Sequence, residues 1–219
     1  MARDRPAPPR APRRRRAPEE AREELLVAAD RLLAARGPED VGLADVAREV
    51  GVTHGLVTHY FGTYAGLVRE VFVRRNRLAA ATILEQIDAA RESGDVLALQ
   101  RFAVAYVTDP HRVRLFLWLR LHDADRPRGA GEGGGLLRAL VDVLAHELPA
   151  LAGAGAPVPE RATIELLVLL TLSAGHGWAI GKETWLRGLG LTPGPEIDAT
   201  FQQLLLDALA LVARARAPG

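Results

Sequence analysis

Between Glu19 and Thr63 the apolar residues recur at three- and four-residue intervals, interrupted only at Gly37-Pro38 and Gly51. That spacing predicts short amphipathic helices with fixed stops between them. The first, "EEAREELLVAADRLLAARG", follows Pro18, a residue suited to a first helical position. Its stripe is Leu25, Leu26, Ala29, Leu32 and Leu33, and Glu19 and Glu20 complement the N-terminal dipole. Gly37-Pro38 ends it. The second, "LADVAREV", turns Leu43, Val46, Ala47 and Val50 inward and stops at Gly51, which tolerates a left-handed backbone. Thr53 then caps a third helix by accepting an early free N–H. Its inner face is Val52, Leu56, Val57, Tyr60 and Phe61, and its outer face is Thr53, His54, Thr58 and His59. A longer fourth helix is predicted from near Ala65 to about Arg91.

Helix, short helix, glycine turn, short helix is the helix-turn-helix layout, in which the helix after the turn lies in the DNA major groove. An ordinary three-helix bundle has the same outline. Beyond it the pattern remains helical, over 95–107, 111–122, 134–147, 160–182 and 195–215. The breaks are "RPRGAGEGGG" (126–135) and "PALAGAGAPVP" (149–159). The glycine-rich break has no preceding strand and no following Lys-Ser or Lys-Thr, so it reads as a linker rather than a phosphate loop. "HELP" at 146–149 reads as a helix end. "ATIELLVLLTLSAGHGW" is apolar on nearly every face. "IDATFQQLLLDALALV" carries Ile197, Phe201, Leu204, Leu205, Leu209 and Val212. Helices this apolar need covering on all sides, and a two-fold homodimer through 160–182 and 195–215 supplies the cover.

Charge is distributed unevenly. Residues 1–16 hold seven arginines against Asp4, a local +6, so the other 203 residues sum to −5 in a chain of net charge +1. Prolines at 6, 8, 9, 12 and 18 keep this segment from helix, predicting a disordered cationic arm with nucleic acid as its first candidate partner. Over 17–76 seven arginines face ten acids, a net −3. The longest apolar run, near Leu166 to Ala174, falls short of the ~18 residues of a membrane span. Glu19, Glu20 and Arg22 follow the basic N-terminus where a secretory signal would be apolar. A cytoplasmic protein with no membrane partner is expected. The chain has no Cys, and its six His form no i,i+4 pair. No metal site, cofactor or catalytic constellation is expected. For a small molecule the candidates are Phe102 with Tyr106, Trp118 with His122, and His176 between Gly175 and Gly177, with Trp178 as a wall. All six are equally readable as core residues. The sparse charge around them favours a mostly apolar ligand.

The stretch from Glu23 to Leu67, "EELLVAADRLLAARGPEDVGLADVAREVGVTHGLVTHYFGTYAGL", resembles the N-terminal DNA-binding domain of the tetracycline-repressor (TetR) family. The matching elements are Ala-Ala and the terminal Gly of helix 1, "DVAREVGV", Gly55, "HYFGT" and Leu67. The resemblance implies an all-α, homodimeric, ligand-responsive transcription regulator, usually a repressor, on a near-palindromic operator. It divides the chain into an arm (1–18), a helix-turn-helix domain (19–66) and an effector-binding and dimerisation domain (67–219). By position, Thr53, His54 and Gly55 would face bases and phosphates, with Thr58, His59 and Tyr60 following. Three places depart from the family pattern. Thr58 stands where Tyr is common, Tyr64 where Lys is common, and Gly42, Leu43 and Ala44 where a capping Thr is common. Arg13, Arg14, Arg15 and Arg16 of the arm are expected to restore the lost phosphate contacts. The alternative is a dimeric small-molecule-binding protein of the same fold without specific operator binding.

Overall fold

The computed structural model describes residues 18–94, 96–122, 134–152 and 158–216. The arm with Arg13 to Arg16, residues 126–133 of the glycine-rich break and 153–157 of the second break lie outside them. The described residues form helices and turns: α1 (Pro18–Arg36), α2 (Leu43–Val50), α3 (His54–Phe61), α4 (Tyr64–Ser93), α5 (Val96–Val107), α6 (Pro110–His122), α7 (Gly134–Ala152), α8 (Arg161–Gly188) and α9 (Pro195–Arg216). The expected all-α architecture is the observed one.

The N-terminal core closes around the predicted stripes. Leu25, Leu26, Ala29 and Leu33 of α1 pack with Val46 and Ala47 of α2, Val57 and Phe61 of α3, and Leu67, Val68 and Val71 of α4. Leu115 of α6 completes it at 2% exposure, with Trp118 and Leu119 against its edge. Gly51 sits at φ +73°, and its N–H and that of Val52 bond back to the end of α2. A β-carbon there would strain the turn that sets the angle between α2 and α3. The expected partition at residues 66 and 67 falls inside the continuous helix α4.

Two helices run further than their sequence suggests. α7 continues through Pro149 to Ala152. α8 continues past residue 182 to Gly188, where Leu186 is buried and Arg187 reaches back to Glu183 at 2.9 Å. At 28 residues α8 is the one described helix long and apolar enough to cross a membrane by length and composition. The short uninterrupted run did not suggest this. α8 nevertheless packs against α5, α6, α7 and α9, and Lys182 on it pairs with Asp198 at 2.7 Å.

The stripe expected on α9 divides in two. Leu205 and Leu206 are buried against Val104 of α5, with Phe201 and Leu209 beside them. Leu204, Leu211 and Val212 face outward, as do Leu166, Leu169, Leu170 and Ile180 of α8. α8 approaches α5 at Gly175. A methyl group there would lie 2.6 Å from Val107 Cγ2 and 2.8 Å from its carbonyl oxygen. Gly175→Ala is therefore expected to push the two helices apart and cost about 1–3 kcal/mol, seen as a lowered urea midpoint. An unchanged midpoint would mean that this contact gives way freely.

Candidate nucleic-acid interface and ligand site

Helix α3 is held from behind and open in front. Val57 and Phe61 are buried, while Thr53, His54, Gly55 and His59 are exposed side by side. Thr53 Oγ1 accepts from Leu56 N at 3.3 Å, which leaves its hydroxyl proton free for an outside acceptor. Thr58 Oγ1 donates to the His54 carbonyl at 3.1 Å and lies 3.4 Å from His54 Nδ1, so the two side chains share one face. Tyr60 leans into the N-terminal core, its ring edge-on to His59 at 5.5 Å. The surface thus offers uncharged donors and acceptors, the chemistry of base edges, over eight residues that fit a major groove.

Phosphate-binding charge around this surface is largely paired with acids among the described residues. Tyr64 does not project from the surface. The Tyr64 hydroxyl donates to the Pro38 carbonyl at 2.7 Å, and its ring stands edge-on to Trp118 at 5.2 Å. Burial pushes that hydroxyl above the ordinary tyrosine range, and Glu39 and Asp45 add to the shift, so it stays protonated. Ala44 is exposed but offers only its backbone. The N-terminus of α2 is already occupied, because the Asp45 carboxylate accepts from Gly42 N at 2.9 Å. That bond, with help from Arg48 and Arg36, holds the Asp45 carboxyl below the usual range. Arg22 pairs with Glu70 at 2.7 Å and Arg74 with Glu23 at 2.6 Å. Arg31 pairs with Glu49, Arg75 with Asp30, and Arg48 with Asp45 at 3.0 Å. Such exposed pairs are individually weak, but the acids stay where a phosphate would approach. Asp45 as a cap was legible in its position three residues after Gly42. Tyr64 as a tether to Pro38 was not, because its partners lie 26 and 54 positions away.

In the helical region the six expected ligand residues separate into four places. Trp118 and His122 stack on each other at 4.5 Å, next to Tyr64 and the N-terminal core. Trp178 stacks on Phe201 at 4.0 Å and donates to Asp198 at 2.8 Å, which ties α8 to α9. Phe102 is half-buried on α5. Tyr106 and His176 come together across helices, and the residue joining them is Arg112, which no sequence pattern singled out. Arg112 is 5% exposed; its Nε donates to the Tyr106 carbonyl at 3.1 Å and its Nη2 lies 2.9 Å from His176 Nε2. The guanidinium also lies over the Tyr106 ring at 4.5 Å, and the Tyr106 hydroxyl donates to Asn76 Oδ1 at 2.5 Å. Burial, then the neighbouring Arg112 charge, lowers the His176 pKa, so the neutral imidazole accepts from Arg112. Phe116 covers His176 at 5.1 Å, and Phe72 follows at 6.1 Å from Phe116. The room expected around Gly175 is taken by Val107.

α6 belongs to both places. Leu115 and Trp118 touch the N-terminal core, and Arg114 reaches Glu39 of the α1–α2 loop at 2.7 Å. Arg112 and Phe116, on the same helix, touch His176 of α8.

Residues 25–71 match the profile of the bacterial regulatory proteins of the tetR family. No curated protein matches the chain by sequence. Among solved structures, the chain is similar to a TetR-family transcriptional regulator from Pectobacterium atrosepticum, with 20% identity and a TM-score of 0.65, covering 94% of this chain and 99% of that one. It is also similar to the multidrug-binding protein EbrR complexed with imidazole (18% identity, TM-score 0.58, 90% and 95% covered). A third is the fatty acid degradation regulator FadR from Bacillus halodurans (14%, 0.58, 91% and 97%). At these identities the likeness is one of fold, and it extends over both regions of the molecule.

Proposed function

We propose that the chain is a transcriptional regulator of the TetR type, supported by the match of residues 25–71 to that family's profile and by the fold it shares with a TetR-family regulator, and that it works as a cytoplasmic, ligand-responsive repressor rather than an enzyme. In this reading it binds a near-palindromic operator as a homodimer, through α3 of each subunit. A small molecule held in the helical region near His176 then shifts α6 and with it the spacing of the two heads. The division of labour is an arm to about residue 18, a reading head to about 66, and an effector and dimerisation region beyond. The observation that carries the release step is the double engagement of α6. Movement at Arg112 and Phe116 cannot leave Leu115 and Arg114 in place unless the helix deforms. The multidrug-binding and fatty-acid-degradation proteins of similar fold support a small organic effector.

The acidic head favours one second reading, a dimer that binds small molecules and has lost its operator. Fluorescence anisotropy on duplexes tiling the upstream region of its own gene separates the two. Saturable, competitor-resistant binding to one near-palindromic duplex at physiological salt is expected, and only weak, sequence-blind binding would favour the second reading. With such a duplex in hand, His54→Ala is expected to relax discrimination at one base pair per half-site, by about 1–3 kcal/mol. Uniform weakening across all single-base variants would instead make His54 a backbone contact.

A further inference from the structure

The feature left unexplained is a buried cation. Arg112 is 5% exposed, and among the described residues no carboxylate lies within salt-bridge distance of it. It meets a backbone carbonyl, a neutral imidazole and the face of a tyrosine, which satisfy hydrogen-bonding directions without supplying a negative charge. The nearest acid that influences it, Asp109, faces Arg75 at 3.7 Å. A buried guanidinium with no counter-charge is costly, and folded chains pair such groups or give them a function. Asn76 and Tyr106 are satisfied by each other, so the cation is the unbalanced group in the cluster.

We infer that Arg112 is the anchor for an anionic effector, an organic carboxylate with an apolar body. A carboxylate suits the planar fork of the guanidinium, which can present two parallel N–H donors. His176 is neutral and accepts from Arg112, so it positions the fork without neutralising its positive charge. The apolar body follows from the surroundings, because Phe116 stands next to His176 and Phe72 next to Phe116. This class is narrower than the mostly apolar ligand that composition suggests, and within it His176, expected as a ligand contact, serves as support for Arg112. The inference rests on the reading of this region as an effector site, but its ligand chemistry is tested without DNA. The two therefore fail separately.

The test is thermal unfolding of the full chain and of Arg112→Met at constant ionic strength. The probes are acetate, benzoate, 1-naphthoate and decanoate, each beside its primary amide. At least one of the larger carboxylates is expected to raise the wild-type Tm by several degrees, its amide by less than one, and neither to move Arg112→Met. Should Arg112→Met not fold, Arg112→Lys takes its place. It keeps a point charge but loses the fork, and at least a halved carboxylate shift is expected. Carboxylates acting no better than amides on the wild type overturn the inference. So does a carboxylate shift that persists in full in the Arg112 variant.

Discussion

Leu170→Glu combined with Leu204→Glu is expected to convert the proposed homodimer to a monomer and to weaken operator binding by at least about a hundredfold. The two leucines stand on the outward faces of α8 and α9, 49% and 62% exposed in the single chain, beside Leu166, Ile180 and Leu211. Burying each such side chain against a second copy is worth about 1.5–3 kcal/mol, and burying a carboxylate in its place reverses the sign. A monomer can occupy only one half-site. The tethering of a second head multiplies affinity by roughly 10²–10⁴, and that factor disappears with the dimer. Sedimentation velocity reads the first effect and anisotropy on the palindromic duplex reads the second. A variant that still sediments as a dimer would place the subunit contact elsewhere.

Removal of residues 1–16 is expected to weaken operator binding at least roughly tenfold and to flatten its salt dependence. The head alone sums to −3 over residues 17–76, its arginines face its own acids, and Tyr64 is turned inward onto Pro38. The arm brings +6 and reverses the balance to +3 per subunit. Each released counterion contributes to the slope of log affinity against log salt, so fewer phosphate contacts must appear as a shallower line. Arginines also suit a narrow minor groove beside the recognition site. Equal affinity and equal slope in the truncated chain would mean that the arm does not touch DNA.

Helices were legible from the chain because their signals are local. Gly51, Thr53 and the stripes of α1 to α3 depend on neighbours within a few positions, and the observed bounds follow them closely. The α9 stripe showed that the helix is apolar on two sides, but not which side meets α5 and which stays open. Arg112 was illegible for a different reason. In "DPHRVRLFLWLRLH" it is one of three arginines on a short helix, and nothing in the spacing separates it from Arg114 or Arg120. Its burial comes from α8 lying across it, 64 positions later. Likewise Tyr64 reads from position as a missing cation, whereas its partners make it a tether between the head and Trp118.

The membership of Leu115 in the N-terminal core has a consequence for how such a chain can be recombined. A head excised at residue 66 would leave behind Leu67, Val68 and Val71 of α4, Leu115 and the Trp118 edge, exposing the faces of Leu25 and Val57 in the same core. The DNA reader is therefore not an interchangeable cartridge. Grafted onto a foreign body, it would need that body to present a leucine and an aromatic ring at the same depth. Swaps within this architecture should keep their stability when the crossover carries α6 along with the head, and lose it when it does not.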